Sequence, residues 1–238
     1  ALRTVDGLLN LAQVGALTVL DNRALLDLAG LRSLEALAGG LSVENNRRLR
    51  NLAGLRRLTH VAGDLRLTGN IALADVRGLA SLHVVDGALS VAFNDELKSL
   101  EGMESLTSVG SYLGIQGNDA LASLDGLRGI TAAGHVLIAQ NRSLQSLDGL
   151  SNLQRAELLI ISNHAQLASL TGLSSLRVVE THLIIQGNEV LTELGMDALE
   201  EVGDLVSIRD NPRLSTQTAE EFAARVGATA DIRNNGAP

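Results

Sequence analysis

The stretch LKSLEGMESLTSVGSYLGIQGNDA, Leu97–Ala120, sets an apolar side chain at every third residue and then changes period. Leu97, Leu100, Met103, Leu106 and Val109 are spaced too regularly for a long strand, and Gly102 and Gly110 interrupt any helix. Leu113-Gly-Ile115 alternates with period two, the pattern of a half-buried strand. A second short strand is expected to end at Val109, with equivalents at Val61, Val85 and Val179. All seven apolar residues should point inward from a coil of short extended segments joined by tight corners. Asn118 falls at the corner after the main strand. Turned inward, its amide can bond backbone groups of its own and adjacent coils that would otherwise be buried unpaired.

The same unit recurs along the chain. Val19 is followed by Asn22, Val43 by Asn46, Leu67 by Asn70, Val91 by Asn94 and Ile115 by Asn118. Ile138 then precedes Asn141, Ile161 precedes His164, Ile185 precedes Asn188 and Ile208 precedes Asn211. Successive corner residues are 24, 24, 24, 24, 23, 23, 24 and 23 residues apart. A period that steady is the mark of a solenoid, in which each coil leans on its neighbours. Parallel strands spaced by about 4.8 Å would make nine coils a rod roughly 43 Å long. The expected fold is mainly β: a right-handed parallel solenoid of about nine 23–24-residue leucine-rich coils over residues 1–214, with a cap over 215–238. His164 stands where the other coils have Asn, and reads as a local corner variation, not a catalytic histidine.

Within the cap, Ser215–Val226 carries N-cap residues, early acids and an apolar face at Ala219, Phe222, Ala223 and Val226, and Gly227 stops it. A short helix laid over the last coil would shield its open core. Asp231–Asn235 reads as one last strand fragment. No equivalent N-terminal cap is visible, and the opening on a repeat (Leu2, Val5, Gly7, Leu8) is expected of a piece cut from a longer protein.

Composition narrows the function classes. Aromatic residues are 1% of the 238, which suits narrow coils filled by aliphatic layers. There is no cysteine, so disulfides, iron–sulfur clusters and thiolate zinc sites are excluded. A net charge of −8 argues against binding nucleic acid through its phosphates. No signal-peptide pattern or long apolar run is present, so no membrane insertion by this segment is expected.

The unit L-x-x-L-x-G-L-x-x-L-x-x-V-x-G-x-L-x-I-x-x-N-x-x, as in Leu97–Ala120 and in LASLTGLSSLRVVETHLIIQGNEV (Leu167–Val190), resembles the receptor L-domain branch of the leucine-rich repeat superfamily. It places two residues, not one, between the Asn and the next Leu. The closing Asn211-Pro-Arg-Leu214, followed by an amphipathic helix, is similar to the end of such domains. L-domains occur in the ectodomains of insulin and epidermal growth factor receptors, in fungal wall proteins and in bacterial surface proteins. The resemblance implies extracellular recognition without catalysis. Receptor versions carry disulfides and this chain has none, so a bacterial cell-surface or secreted protein is the closer likeness. Fold alone does not assign function, so the site has to be argued separately.

Strand alternation leaves three outward positions per coil. In early coils these are small or polar: Gly40, Ser42 and Glu44, then Asp64, Arg66 and Thr68, then Ala88, Ser90 and Ala92. From the fifth coil they become Tyr112, Gly114 and Gln116; His135, Leu137 and Ala139; Leu158, Ile160 and Ser162; and His182, Ile184 and Gln186. An apolar centre with a polar rim is the anatomy of a protein interface, and exposed apolar patches usually have a use. The candidate partner-binding residues are therefore Tyr112, Gln116, His135, Leu137, Leu158, Ile160, His182, Ile184 and Gln186. A protein or peptide is the expected ligand, or a second copy of the chain. Sugar binding would normally want several stacking rings, and Tyr112 and Phe93 are nearly all that is offered.

No catalytic residue, cofactor or metal ligand is assigned. Two rivals to recognition are a structural spacer and a carbohydrate-active solenoid using Glu101, Asp125 and Asp148, which hold equivalent places in successive coils. Each of these acids precedes a Gly at a corner, where a short carboxylate satisfies turn amides, and no His, Lys or Arg is expected to join the column to complete a catalytic set. His60 and His83 read as a chance surface pair, with no acid recurring beside them. Calcium nonapeptides, phosphate loops and nucleophile motifs are absent.

Overall fold

The computed structural model describes residues 2–237, so residues 1 and 238, the outer ends of the two expected segments, lie outside it. The chain is a mainly β, repeat-like fold of parallel sheets with one helix near its C-terminus, compatible with a solenoid. The principal sheet contains β1 (Leu17–Leu20), β2 (Leu41–Glu44), β3 (Leu65–Thr68), β4 (Leu89–Ala92) and β5 (Tyr112–Gln116). It continues through β6 (Ala132–Ala139), β7 (Arg155–Ser162), β8 (His182–Gln186), β9 (Leu205–Arg209) and β10 (Thr229–Arg233). These pair in chain order, every neighbour parallel. Two-residue strands form a second, five-stranded ladder that includes His60–Val61, Val84–Val85 and Ser108–Val109. Among the described residues neither ladder closes into a barrel.

The core is a stack of aliphatic layers. Leu97, Leu100, Met103, Leu106, Leu113 and Ile115 are fully buried and Val109 nearly so, as are the equivalent residues in neighbouring repeats. The three-residue spacing resolves into single 3₁₀ turns, which place side chains i and i+3 on one side. One such turn is Ala53–Leu55, closed by Leu55 N–H to Leu52 O at 2.8 Å. Gly54 sits there without a positive φ. A methyl group at that position would run into the Leu28 carbonyl of the preceding repeat, so close backbone approach is what requires glycine.

The corner amides form a ladder that is broken at one rung, His164. Asn118 Nδ2 donates to Val91 O at 2.9 Å and to Gln116 O at 3.1 Å, while its Oδ1 accepts from Asn94 N–H at 3.0 Å. His164 keeps one half of this scheme, its Nε2 lying 3.1 Å from Ile138 O. It has no oxygen to offer the Asn141 N–H, and its Nδ1 faces Asn141 O at 3.2 Å instead. Burial lowers the pKa of this imidazole, against smaller opposing effects of the two carbonyls.

At the C-terminal end, α1 (Thr216–Arg225) is capped by Ser215 and buries Ala219, Phe222 and Ala223, with Val226 just beyond. Arg225 stacks over the Phe222 ring at 5.1 Å and donates to Leu199 O and Met196 O at 2.8 and 3.0 Å, tying the helix to the last repeat. The expected strand fragment begins two residues earlier, at Thr229, and pairs in full with β9. Asn235 then adds a further rung to the ladder, its Oδ1 accepting from Asn211 N–H at 3.2 Å.

Candidate functional site

The register of β5 to β8 turns the alternating sequence into three columns on the solvent side of the principal sheet. Tyr112 lies opposite His135, Gly114 opposite Leu137 and Gln116 opposite Ala139. His135 lies opposite Leu158, Leu137 opposite Ile160 and Ala139 opposite Ser162. Ile160 in turn faces Ile184, and Ser162 faces Gln186. All nine sequence-derived candidates are thus brought onto one face. His135 is exposed and the other eight are half-buried. The middle column, Leu137–Ile160–Ile184, is a row of branched aliphatic side chains at the strand spacing of about 4.8 Å.

Each end of that row is closed differently. Towards β5, the Tyr112 ring folds along its own strand and fills the space a side chain at Gly114 would take. The resulting burial pushes the Tyr112 hydroxyl pKa up. Towards β9, Ser207 continues the column beside Ile184 and is almost fully covered. Arg209 spans this end, donating from Nη2 to Gln186 Oε1 at 3.2 Å, with its Nη1 3.6 Å from Asp231 Oδ2. Asp231 also accepts from Arg233 at 2.9 Å. Among the described residues, Ser207 Oγ and Arg209 Nε are buried side-chain atoms without a partner. None of Ser207, Arg209 and Asp231 stands among the sequence-derived candidates. Ser207 and Arg209 join the face because β9 pairs with β8 in the register of the earlier strands, and Asp231 joins because β10 pairs with β9, a contact carried by the cap and not by the leucine pattern.

The edges of the strip are polar. His135 Nε2 approaches Glu157 Oε1 at 3.4 Å, and Gln116 Nε2 donates to Gln140 Oε1 at 3.0 Å. The early strands differ: Ser42 and Glu44 hydrogen-bond to each other, and Arg66 pairs with Asp64 at 2.5 Å.

Two sequence-based statements about the other surfaces need correction. Arginines do reach the acidic column: Arg77 binds Glu101 at 2.5 Å and Arg128 binds Asp125 at 2.8 Å. Arg77 stands one period before Glu101, so only stacking makes them neighbours; its pKa is raised by the Glu101 hydrogen bond. An acid also stands beside His60, whose Nε2 is 2.7 Å from Asp86 Oδ2, while His83 turns away to Ser81 O at 2.6 Å. No cluster of three or more His, Asp or Glu suited to a metal ion occurs among the described residues. Nor is any described helix long and apolar enough to cross a membrane.

Set against models of known protein families and against curated proteins, the chain matches none. Its function therefore has to be argued from the geometry of its own surface.

Proposed function

We propose that this chain is a non-catalytic recognition or adhesion module of a bacterial surface or secreted protein, built as a right-handed, L-domain-like leucine-rich solenoid of about nine coils. It binds a protein or peptide across β5–β8. The observation that carries this reading is the aliphatic column Leu137–Ile160–Ile184, aligned by strand pairing and left half-open to solvent. Apolar side chains in the middle of a polar frame gain most when a partner removes them from water. The flanking His135, His182, Gln116 and Gln186 supply hydrogen-bond donors and acceptors that fix the orientation of that partner.

The reading is tested with the double variant Ile160→Glu, Ile184→Glu. Peptides selected from a random displayed library on the wild-type domain should lose binding to the variant, while its circular dichroism and melting curve stay unchanged. Light scattering on both proteins reports whether the bound partner is a second copy. Equal peptide binding by both proteins, with both monomeric, would remove this face from consideration.

A further inference from the structure

We infer that the corner of the repeats next to β5 is a saccharide-binding groove, which adjoins the aliphatic strip through Tyr112 and Gln116 but does not require a partner on that strip. The residue before each ladder amide has a positive φ, and along the chain this position holds Asp21, Asn45, Gly69, Phe93, Gly117, Gln140, Asn163, Gly187, Asp210 and Asn234. Glycine and short amide or acidic side chains tolerate that backbone, whereas an aromatic residue there is an outlier. Phe93, at φ 56°, is the one ring in the series and stays 48% exposed. Backbone strain of this kind persists where something is gained from the side chain it presents.

The neighbouring repeat is shaped to receive that ring. Gly117 carries no side chain, and a Cβ there would lie 2.6 Å from Phe93 Cδ1, so the ring lies across the bare backbone of the next repeat. In the same repeat the Tyr112 ring covers Gly114. The chain contains three aromatic side chains, Phe93, Tyr112 and Phe222. Two of them therefore tile the outside of β5 and its corner, about 10 Å apart by strand rise, with Gln116 between them.

Beside the Phe93 ring lies a groove of about 440 Å³, walled by Asp95, Asp119, Gln140, Arg142 and Asn163. One of its carboxylates is paired locally, with Arg142 Nη1 3.7 Å from Asp119 Oδ2, and the Gln140 amide is held by Gln116. Two carboxylates disfavour an anion, and with Asp119 paired to Arg142 too few free carboxylates line the groove to hold a metal ion. The groove has no apolar wall besides the ring for a peptide side chain. What suits it is a neutral ligand with an apolar C–H face for the ring and many hydroxyls for planar carboxylate, amide and guanidinium groups, which is a pyranose. The three repeats crossed by Asp95, Asp119 and Arg142 repeat that offer at about 4.8 Å, so an oligosaccharide fits better than a single sugar.

The test is titration of the domain with cellohexaose, chitohexaose and maltohexaose, followed by calorimetry and by the emission of Tyr112, the single tyrosine in a chain without tryptophan. Saturable binding of at least one of them is expected. Phe93→Gly, which the left-handed backbone accepts, should weaken it about ten-fold without lowering the melting temperature, and Phe93→Trp should retain it. The inference is overturned if none of the three binds at about 10 mM, or if Phe93→Gly binds as the wild type does.

Discussion

Replacing His164 by Asn should stabilise the protein, and the structure allows the size and pH dependence to be worked out. In the wild type the buried Asn141 N–H meets an imidazole where every other rung offers an amide oxygen. Nε2 faces Ile138 O and Nδ1 faces Asn141 O, so a neutral ring, with one N–H for two carbonyls, leaves one lone pair against an acceptor. An Asn would keep the first contact, as Asn188 does with Ile161 O at 3.2 Å, and give the Asn141 N–H an acceptor. Satisfying a buried donor is worth about 1–3 kcal/mol. Losing two ring atoms from a packed corner costs about 1 kcal/mol. The net gain is about 1 kcal/mol, or roughly 2–4 °C in Tm for a chain of this length. The gain should grow in acid. Burial lowers the folded-state pKa of His164 below the unfolded value of about 6.5, so the unfolded chain takes up the proton first. Wild-type stability is then complete above about pH 6.5 and falls as pH drops towards the folded pKa. The variant lacks this loss, while the exposed histidines are common to both proteins and cancel in the difference. Urea unfolding followed by circular dichroism at pH 8, 6.5 and 5 reads the effect. A variant less stable than wild type at pH 8, or a stability difference flat with pH, would refute the account of the ladder.

Asn118→Ala removes two side-chain donors and the acceptor of Asn94 N–H, and should cost about 3 kcal/mol in urea unfolding. Gly54→Ala drives a methyl group against the Leu28 carbonyl and should cost about 2 kcal/mol or more in the same assay, although alanine is the better helix former. Phe93→Gly should raise stability by about 1 kcal/mol through relief of its left-handed backbone, even as it removes the proposed saccharide platform. Ile160→Glu with Ile184→Glu should leave the unfolding midpoint within about 0.5 kcal/mol of wild type, because both side chains project from the solvent side of the sheet.

Much of the fold is legible from local pattern alone. The period-two alternation at Leu113 and Ile115 places the main strand, and the recurring Asn identifies the buried corner, because a polar residue at an inward position has to bond backbone. The 3₁₀ turns are less visible. Their immediate N-terminal flanks, such as Leu52 and Leu147, are apolar. The side chains that accept from the first-turn N–H, Asn51 from Ala53 at 3.0 Å and Ser146 from Asp148 at 2.9 Å, sit one residue earlier than an N-cap, so the usual start signal is displaced. The tenth rung at Asn235 escapes for a related reason: a helix in place of leucine-spaced turns fills the interval after Asn211.

By itself, the sequence determined which residues face inward, and by subtraction which face out. Those follow from each residue's own neighbours and from a period that repeats faithfully. Only the tertiary structure decided what stands beside what across that period. It set Arg77 on Glu101, Asp86 on His60, Asp231 over the end of the aliphatic row, and the Tyr112 and Phe93 rings in the notches at Gly114 and Gly117. The reason is physical: contacts between stacked repeats join residues about two dozen positions apart, and the rotamers that complete them answer to space left by the neighbouring repeat, which no local pattern records.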